Sequence, residues 1–282
     1  STLKGNELNG LETVNRTILE TDVNEMSGTL IAIPALNTYG LTHYPSELPS
    51  GGSLASCFPG SEEGTFGERL AHLFTHEVLK KADYCIELQT GSPNSNILPQ
   101  VYCNFDNGQS RKLAEAFQSP VVTNVNLKGN KLRQTTENLS IPLIVYQAGE
   151  AMRFDENAIS LGVNGILNVM RALDILPKKP EKTITPIFSQ DEEWIIAHHA
   201  GILHTSVQLG QTIQKGELIG EIKDPFGTDF SEKVRAPQEG IVVGINTTPL
   251  IHEGAPIFKV ASFLDYKKAE DSIGQWEKQQ SE

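Results

Sequence analysis

Through residue 180 the chain alternates helix-period and strand-like patterns, and beyond it the helical period disappears. Leu11, Val14, Ile18 and Leu19 recur at helical spacing. Residues 28–34 are a short apolar run read as a buried strand that ends in a loop. The loop over 35–63 is rich in Gly, Pro and Ser, and so long a connection inside a compact domain is usually functional or disordered. A helix over about 65–81 carries Leu70, Leu73, Phe74 and Val78 on one face. A strand at 84–88, a helix at 110–117, strands at 121–125 and 143–146 and a helix at 156–176 complete the series. Such alternation predicts an α/β domain over residues 1–180, with a mostly parallel sheet flanked by helices. Ligand sites in such sheets lie at the carboxyl ends of the strands.

Lys178, Lys179, Pro180, Glu181 and Lys182 form a polar linker. Short strands then follow around 194–197, 216–222, 240–244 and 256–260, separated by glycine turns. Residues 181–265 are therefore expected to form a small all-β domain, and the polar segment 266–282 a frayed or disordered tail. The 282 residues suffice for one large and one small core. A net charge of −12 argues against nucleic acid and anionic membranes as partners. No apolar run is long enough for a membrane helix, and no signal peptide is visible. Cys57, Cys85 and Cys103 show no C-x-x-C spacing, which suits a reducing, cytoplasmic setting.

Several segments carry a resemblance, in order and at consistent spacing. Lys4-Gly5-Asn6-Glu7-Leu8-Asn9-Gly10 is similar to H-G-x-E-x-x-G, and Ile33-Pro34-Ala35-Leu36-Asn37 to I-P-x-x-N. Ser53-Leu54-Ala55-Ser56-Cys57-Phe58-Pro59-Gly60 is similar to D-L-N-R-x-F-P-G, with Glu68-Arg69-Leu70-Ala71 following as in A-E-R-L-A. Ala82 to Thr90 is similar to A-D-x-x-I-D-L-H-T, and Tyr146-Gln147-Ala148-Gly149-Glu150 to Y-E-A-G-E. Together these segments resemble the succinylglutamate desuccinylase/aspartoacylase family of zinc-dependent amide hydrolases. The resemblance implies a zinc-carboxypeptidase-like fold followed by a small biotinyl/lipoyl-like β domain. Its members carry a strand or more before the first motif, so an earlier segment is expected ahead of Ser1.

In that family zinc is held by the His and Glu of H-G-x-E and the His of D-L-H-T. Three protein ligands leave one position for a water that the metal acidifies. The Glu of Y-E-A-G-E acts as general base, and the Asn and Arg of D-L-N-R bind and polarise the substrate. The matched positions here read Lys4, Glu7 and Gln89 for the metal ligands, Gln147 for the base, and Ala55 and Ser56 for Asn and Arg. Only Glu7 is retained. The resemblance therefore implies a zinc-dependent ancestry, with no cofactor expected in this chain.

Lys4 is expected to place its ammonium where the metal cation sits, paired with Glu7 and Glu87, while Gln89 and Gln147 serve as neutral hydrogen-bonding groups. This predicts a zinc-free, pseudoenzyme-like binder of a small acyl-amino-acid-like molecule, with homo-oligomers as a further expectation. The alternative is an active hydrolase of amide or ester bonds with a rearranged site using Glu7, Glu87, Glu150 or His43. Glu7 also reads as a helix-start carboxylate, and His72 and His76 as a solvated helix face. Residues 224–229 show no Lys at the hairpin tip where a carrier domain displays one.

Overall fold

The computed structural model describes residues 1–43, 48–125, 130–179, 185–263, 269–274 and 276, so much of the expected linker lies outside the described residues. Among the described residues the helices ahead of the linker are α1 (Leu8–Glu20), α2 (Thr38–His43), α3 (Phe66–Glu77), α4 (Gly108–Phe117), α5 (Lys131–Asn138) and α6 (Glu156–Ala172). The strands before the linker are β1 (Cys85–Gln89), β2 (Ser95–Cys103), β3 (Val121–Asn124) and β4 (Leu143–Gly149). After it come β5 (Ile187–Ser189), β6 (Asp191–Ile196), β7 (Gly201–Thr205), β8 (Thr212–Ile213) and β9 (Leu218–Lys223). The series ends with β10 (Ser231–Arg235), β11 (Gly240–Asn246), β12 (Leu250–Ile251) and β13 (Pro256–Ser262). No described helix is long and apolar enough to cross a membrane.

The main sheet runs β1-β4-β2-β11-β13-β6, with β3 on β2, β5 on β3 and β8 on β11. It is mixed, which corrects the expected mostly parallel arrangement. The pairs β1–β4, β2–β3 and β3–β5 are parallel, but β2 is antiparallel to both β4 and β11. The central strand β2 had no alternating pattern to announce it, and Pro99 lies inside it. The ladder to β4 shifts register between Ile97 and Gln100, and a proline without an N–H fits at such an irregularity.

The described residues 185–263 hold strands and turns only, yet they do not stand apart from the first half. β11 hydrogen-bonds β2, and β5 hydrogen-bonds β3. Strand alternation makes β11 serve two cores. Ile241 and Val243 enter the main core with Leu98, Val101 and Ile144, while Val242 enters a second core with Ile219, Ile222 and Phe258. A second sheet, β10-β9-β7-β12, closes over that second core. The tail is not wholly solvated either: residues 269–274 and 276 are helical, and Ala269, Ile273 and Trp276 pack into the main core.

Two local expectations also change. Residues 28–34 form no strand, and Ile31 is exposed. The buried face of α1 is Asn9, Gly10, Thr13, Val14 and Thr17, while Ile18 and Leu19 point to solvent. Small residues win there because α6 comes close: a Cβ on Gly162 would lie 2.8 Å from Cγ2 of Thr13. The hydroxyls of Thr13 and Thr17 donate to the carbonyls of Asn9 and Thr13 at 2.8 Å, so burying them leaves no orphan donor.

A candidate ligand cleft at the carboxyl ends of β1 and β4

Gln89 and Gln147 are direct neighbours in the parallel ladder, at the ends of β1 and β4 where a ligand site is expected. The turn ahead of α1 is brought to the same place by close backbone contact. A Cβ on Gly5 would fall 1.9 Å from the carbonyl carbon of Gly40, so only glycine fits. The fully buried Asn37 fixes both partners of that contact: its amide donates to Leu3 O at 3.2 Å and its oxygen accepts from Gly40 N–H at 2.9 Å.

A cavity of about 280 Å³ opens between these elements. Lys4, Glu7, Ala55, Ser56 and Gln89 line it, as do Asn130 and Arg133. Five of the six matched positions therefore converge. The sixth, Gln147, is not part of the lining. Its Nε2 donates to Thr90 O at 2.9 Å, and its Oε1 accepts from the Tyr102 hydroxyl at 3.2 Å.

Glu7 is 2% exposed. It occupies the N-cap position of α1, but its side chain caps nothing. Instead Oε2 accepts the Lys4 backbone N–H at 3.1 Å. Burial pushes this carboxyl up to about 7; the hydrogen bond from Lys4 and the Lys4 charge oppose the rise, and the Glu87 charge adds to it. The expected side-chain salt bridge is not formed: the Lys4 side chain is exposed, and no ion pair joins it to Glu7 or Glu87 among the described residues. Lys4 lines the solvent-facing side of the cavity, where its ammonium keeps water while its charge still opposes the rise at Glu7.

The cation facing Glu87 is Arg133 on α5. Its Nε lies 3.7 Å from Glu87 Oε2, with the side chains 14% and 3% exposed. The other Glu87 oxygen accepts the Gln89 amide. The α5 sequence is polar, so no apolar period announces this helix. Its start is nevertheless legible as a cap, since the Asn130 side chain accepts Arg133 N–H at 3.2 Å.

Behind the cleft lies a buried polar group that spans both halves of the chain. Gln100 Nε2 and Lys259 Nζ donate to the Tyr102 hydroxyl at 2.7 and 3.1 Å. Lys259 also pairs with Glu192, whose Oε2 lies 3.2 Å from the same hydroxyl. Burial first, and Glu192 second, raise the Tyr102 phenol well above its ordinary range.

The other candidates have structural partners. Glu150 accepts from Asn94 N–H at 3.0 Å and from Thr247 at 3.1 Å, tying β4 to turns on β2 and β11. His43 stacks on Tyr39, and His72 stacks on His76 along α3. None of these three histidines lines the cavity.

Residues 2–173 match the sequence profile of the succinylglutamate desuccinylase/aspartoacylase catalytic domain. The chain belongs to this family. A relative, the N-alpha-acetyl-L-2,4-diaminobutyric acid deacetylase of Halomonas elongata, is 21% identical over 274 residues, covering 93% of this chain and 80% of its own. Among solved structures, the succinylglutamate desuccinylase/aspartoacylase from Rhodobacter sphaeroides superposes with a TM-score of 0.83 at 21% identity, covering 94% of this chain and 84% of that one. The product-bound ectoine utilization protein EutE (DoeB) from Ruegeria pomeroyi gives 0.82 at 19% identity, covering 92% and 82%. The family is one of deacylases and is generally zinc-dependent. The residues present here do not fit that metal. At the matched ligand positions Lys4 offers an ammonium, which has no lone pair for a metal, the Gln89 amide is engaged with Glu87, and only Glu7 offers a carboxylate. Among the described residues no three His, Cys, Asp or Glu side chains converge.

Proposed function

We propose that this family member binds a small carboxylate of the amino-acid or acyl-amino-acid type in the cleft, without zinc and without hydrolysing it. The observation that carries this reading is the donor set: a lysine and an engaged glutamine at two of three ligand positions, with a glutamine at the base position that does not line the cavity. Water activation of the family kind requires a metal-held water and a nearby base. Lys4, Arg133, Asn130 and Ser56 leave a cavity rich in donors, which suits an anionic ligand. The alternative hydrolase gains no support from Glu150, whose oxygens accept from Asn94 and Thr247, nor from Glu87, where one oxygen accepts from Gln89 and the other faces Arg133 at 3.7 Å.

Metal analysis of the purified protein together with hydrolysis assays on a panel of N-acyl amino acids tests the proposal. Absence of stoichiometric zinc, absence of turnover and saturable binding of a panel member are expected. Zinc at one per chain with turnover lost on chelation would overturn it.

A further inference from the structure

Behind the cleft one proton serves two acceptors. The Tyr102 phenol has two lone pairs and a single O–H. Gln100 Nε2 and Lys259 Nζ donate to its oxygen at 2.7 and 3.1 Å, which engages both lone pairs. The proton then faces Gln147 Oε1 and Glu192 Oε2, each at 3.2 Å. It can serve only one of them at a time, so the hydrogen bonds to Gln147 and to Glu192 compete. Burial above all holds the phenol protonated. The two acceptors belong to different halves of the chain: Gln147 is the matched base position on β4, and Glu192 lies on β6.

A carboxylate is a stronger acceptor than a neutral amide, so Glu192 draws the proton away from Gln147. Lys259 on β13 tempers that pull, because it pairs with Glu192 while donating to the phenol, and the pair is largely buried. Gln147 passes the outcome on toward the cleft. Its Nε2 holds the Thr90 carbonyl at 2.9 Å, next to Gln89 in the cleft wall. An amide whose oxygen accepts a hydrogen bond donates more strongly through its N–H. We infer that Lys259 and Glu192 are positioning residues for the cleft: they divide the Tyr102 proton between Glu192 and Gln147 and so set how firmly Gln147 holds Thr90. A hydrogen bond with two discrete positions is an element through which separated regions bias one another. This coupling is independent of what the cleft binds.

Nuclear magnetic resonance on the full chain, with isotope-labelled glutamine side chains, reads both ends of the Gln147 amide, which is assigned by its loss in Gln147→Leu. In Glu192→Leu/Lys259→Met the phenol keeps Gln147 as its acceptor and loses the competitor. The Gln147 carbonyl carbon should then shift downfield, and its Nε2 protons should exchange with solvent roughly threefold more slowly, a fraction of one neutral hydrogen bond. Tyr102→Phe, which has no proton to give, should move both readings the other way. Lys259→Arg, which keeps the pair, should restore wild-type values. Thermal midpoints show which variants fold, and Glu192→Gln, which neutralises the competing acceptor, should move the readings in the same direction as the double variant if that one does not fold. A pair that only braces the structure would speed the exchange when removed, and that sign would overturn the inference. Unchanged Gln147 readings on removal of the pair, or in Tyr102→Phe, would overturn it as well.

Discussion

Gln147 and Tyr102 meet at 3.2 Å, amide oxygen against phenol, and the Thr90 carbonyl, which can only accept, fixes this orientation of the amide. The Nε2 end donates to the Thr90 carbonyl at 2.9 Å. Restoring a carboxylate at this position therefore has a definite cost. In Gln147→Glu an acceptor replaces the donor and faces a carbonyl oxygen. The variant should be less stable by about 1–3 kcal/mol, the penalty for an unmet buried polar group. It should also remain without hydrolytic activity. Urea unfolding and an acyl-amino-acid assay check both points, and a more stable or active variant would contradict this account.

Glu87 and Arg133 invite a paired test. Glu87 is 3% exposed at its side chain, and Arg133 is its only ion-pair partner among the described residues. Arg133→Met strands that charge and should destabilise by roughly 3–5 kcal/mol. Adding Glu87→Gln should recover most of the loss, because it removes the stranded charge while Gln89 keeps a partner. A double-mutant cycle by chemical denaturation measures the coupling. Additive effects would show that the pair does not act as one.

The pH dependence of stability follows from Glu7. Its carboxyl stands at about 7 instead of an ordinary 4.5, mainly through burial. The folded chain thus keeps a proton that the unfolded chain releases, so the contribution is full below about 4.5 and is lost as pH rises through about 7. The swing is roughly 3 kcal/mol. Unfolding free energies of wild type and Glu7→Gln, compared at pH 5 and pH 8, should differ most at the higher pH, with the variant the more stable there. The same difference at both pH values would remove Glu7 as the cause.

The ordered motif segments were legible because local residues carry them. Lys4, Glu7, Ala55, Ser56 and Gln89 do converge on one cavity. What stayed hidden depends on distant pairing. The strand β2 lacks alternation and contains Pro99, and α5 has no apolar stripe, so neither Tyr102 nor Arg133 stood out. The partner of Glu87 is 46 positions along the chain, from 133 − 87, whereas proximity in sequence favoured Lys4 with Glu7. Only the fold shows that the Lys4 backbone, not its ammonium, meets Glu7. Likewise, the glycine turns marked the later strands but not the ladder between β11 and β2 that merges them with the first sheet.

The proposed zinc-free state can be tested by substitution, because the matched positions keep their places around one cavity. Lys4, Glu7 and Gln89 still surround one cavity, and Gly5, Gly40 and Asn37 hold the first two in place by contacts that do not involve the altered side chains. Three nitrogen or carboxylate ligands with one open position suffice for zinc. The double variant Lys4→His/Gln89→His should therefore bind zinc at about one per chain, whereas the wild type and either single variant should not. Bound zinc should in turn raise the thermal midpoint of the double variant by mass action, and a chelator should reverse the rise. Adding Glu7→Gln should abolish both effects, since the retained carboxylate is the third ligand. Metal analysis after dialysis and thermal scans with and without chelator read these outcomes. A wild-type chain that binds zinc as well as the double variant would show that the lysine and glutamine do not exclude the metal.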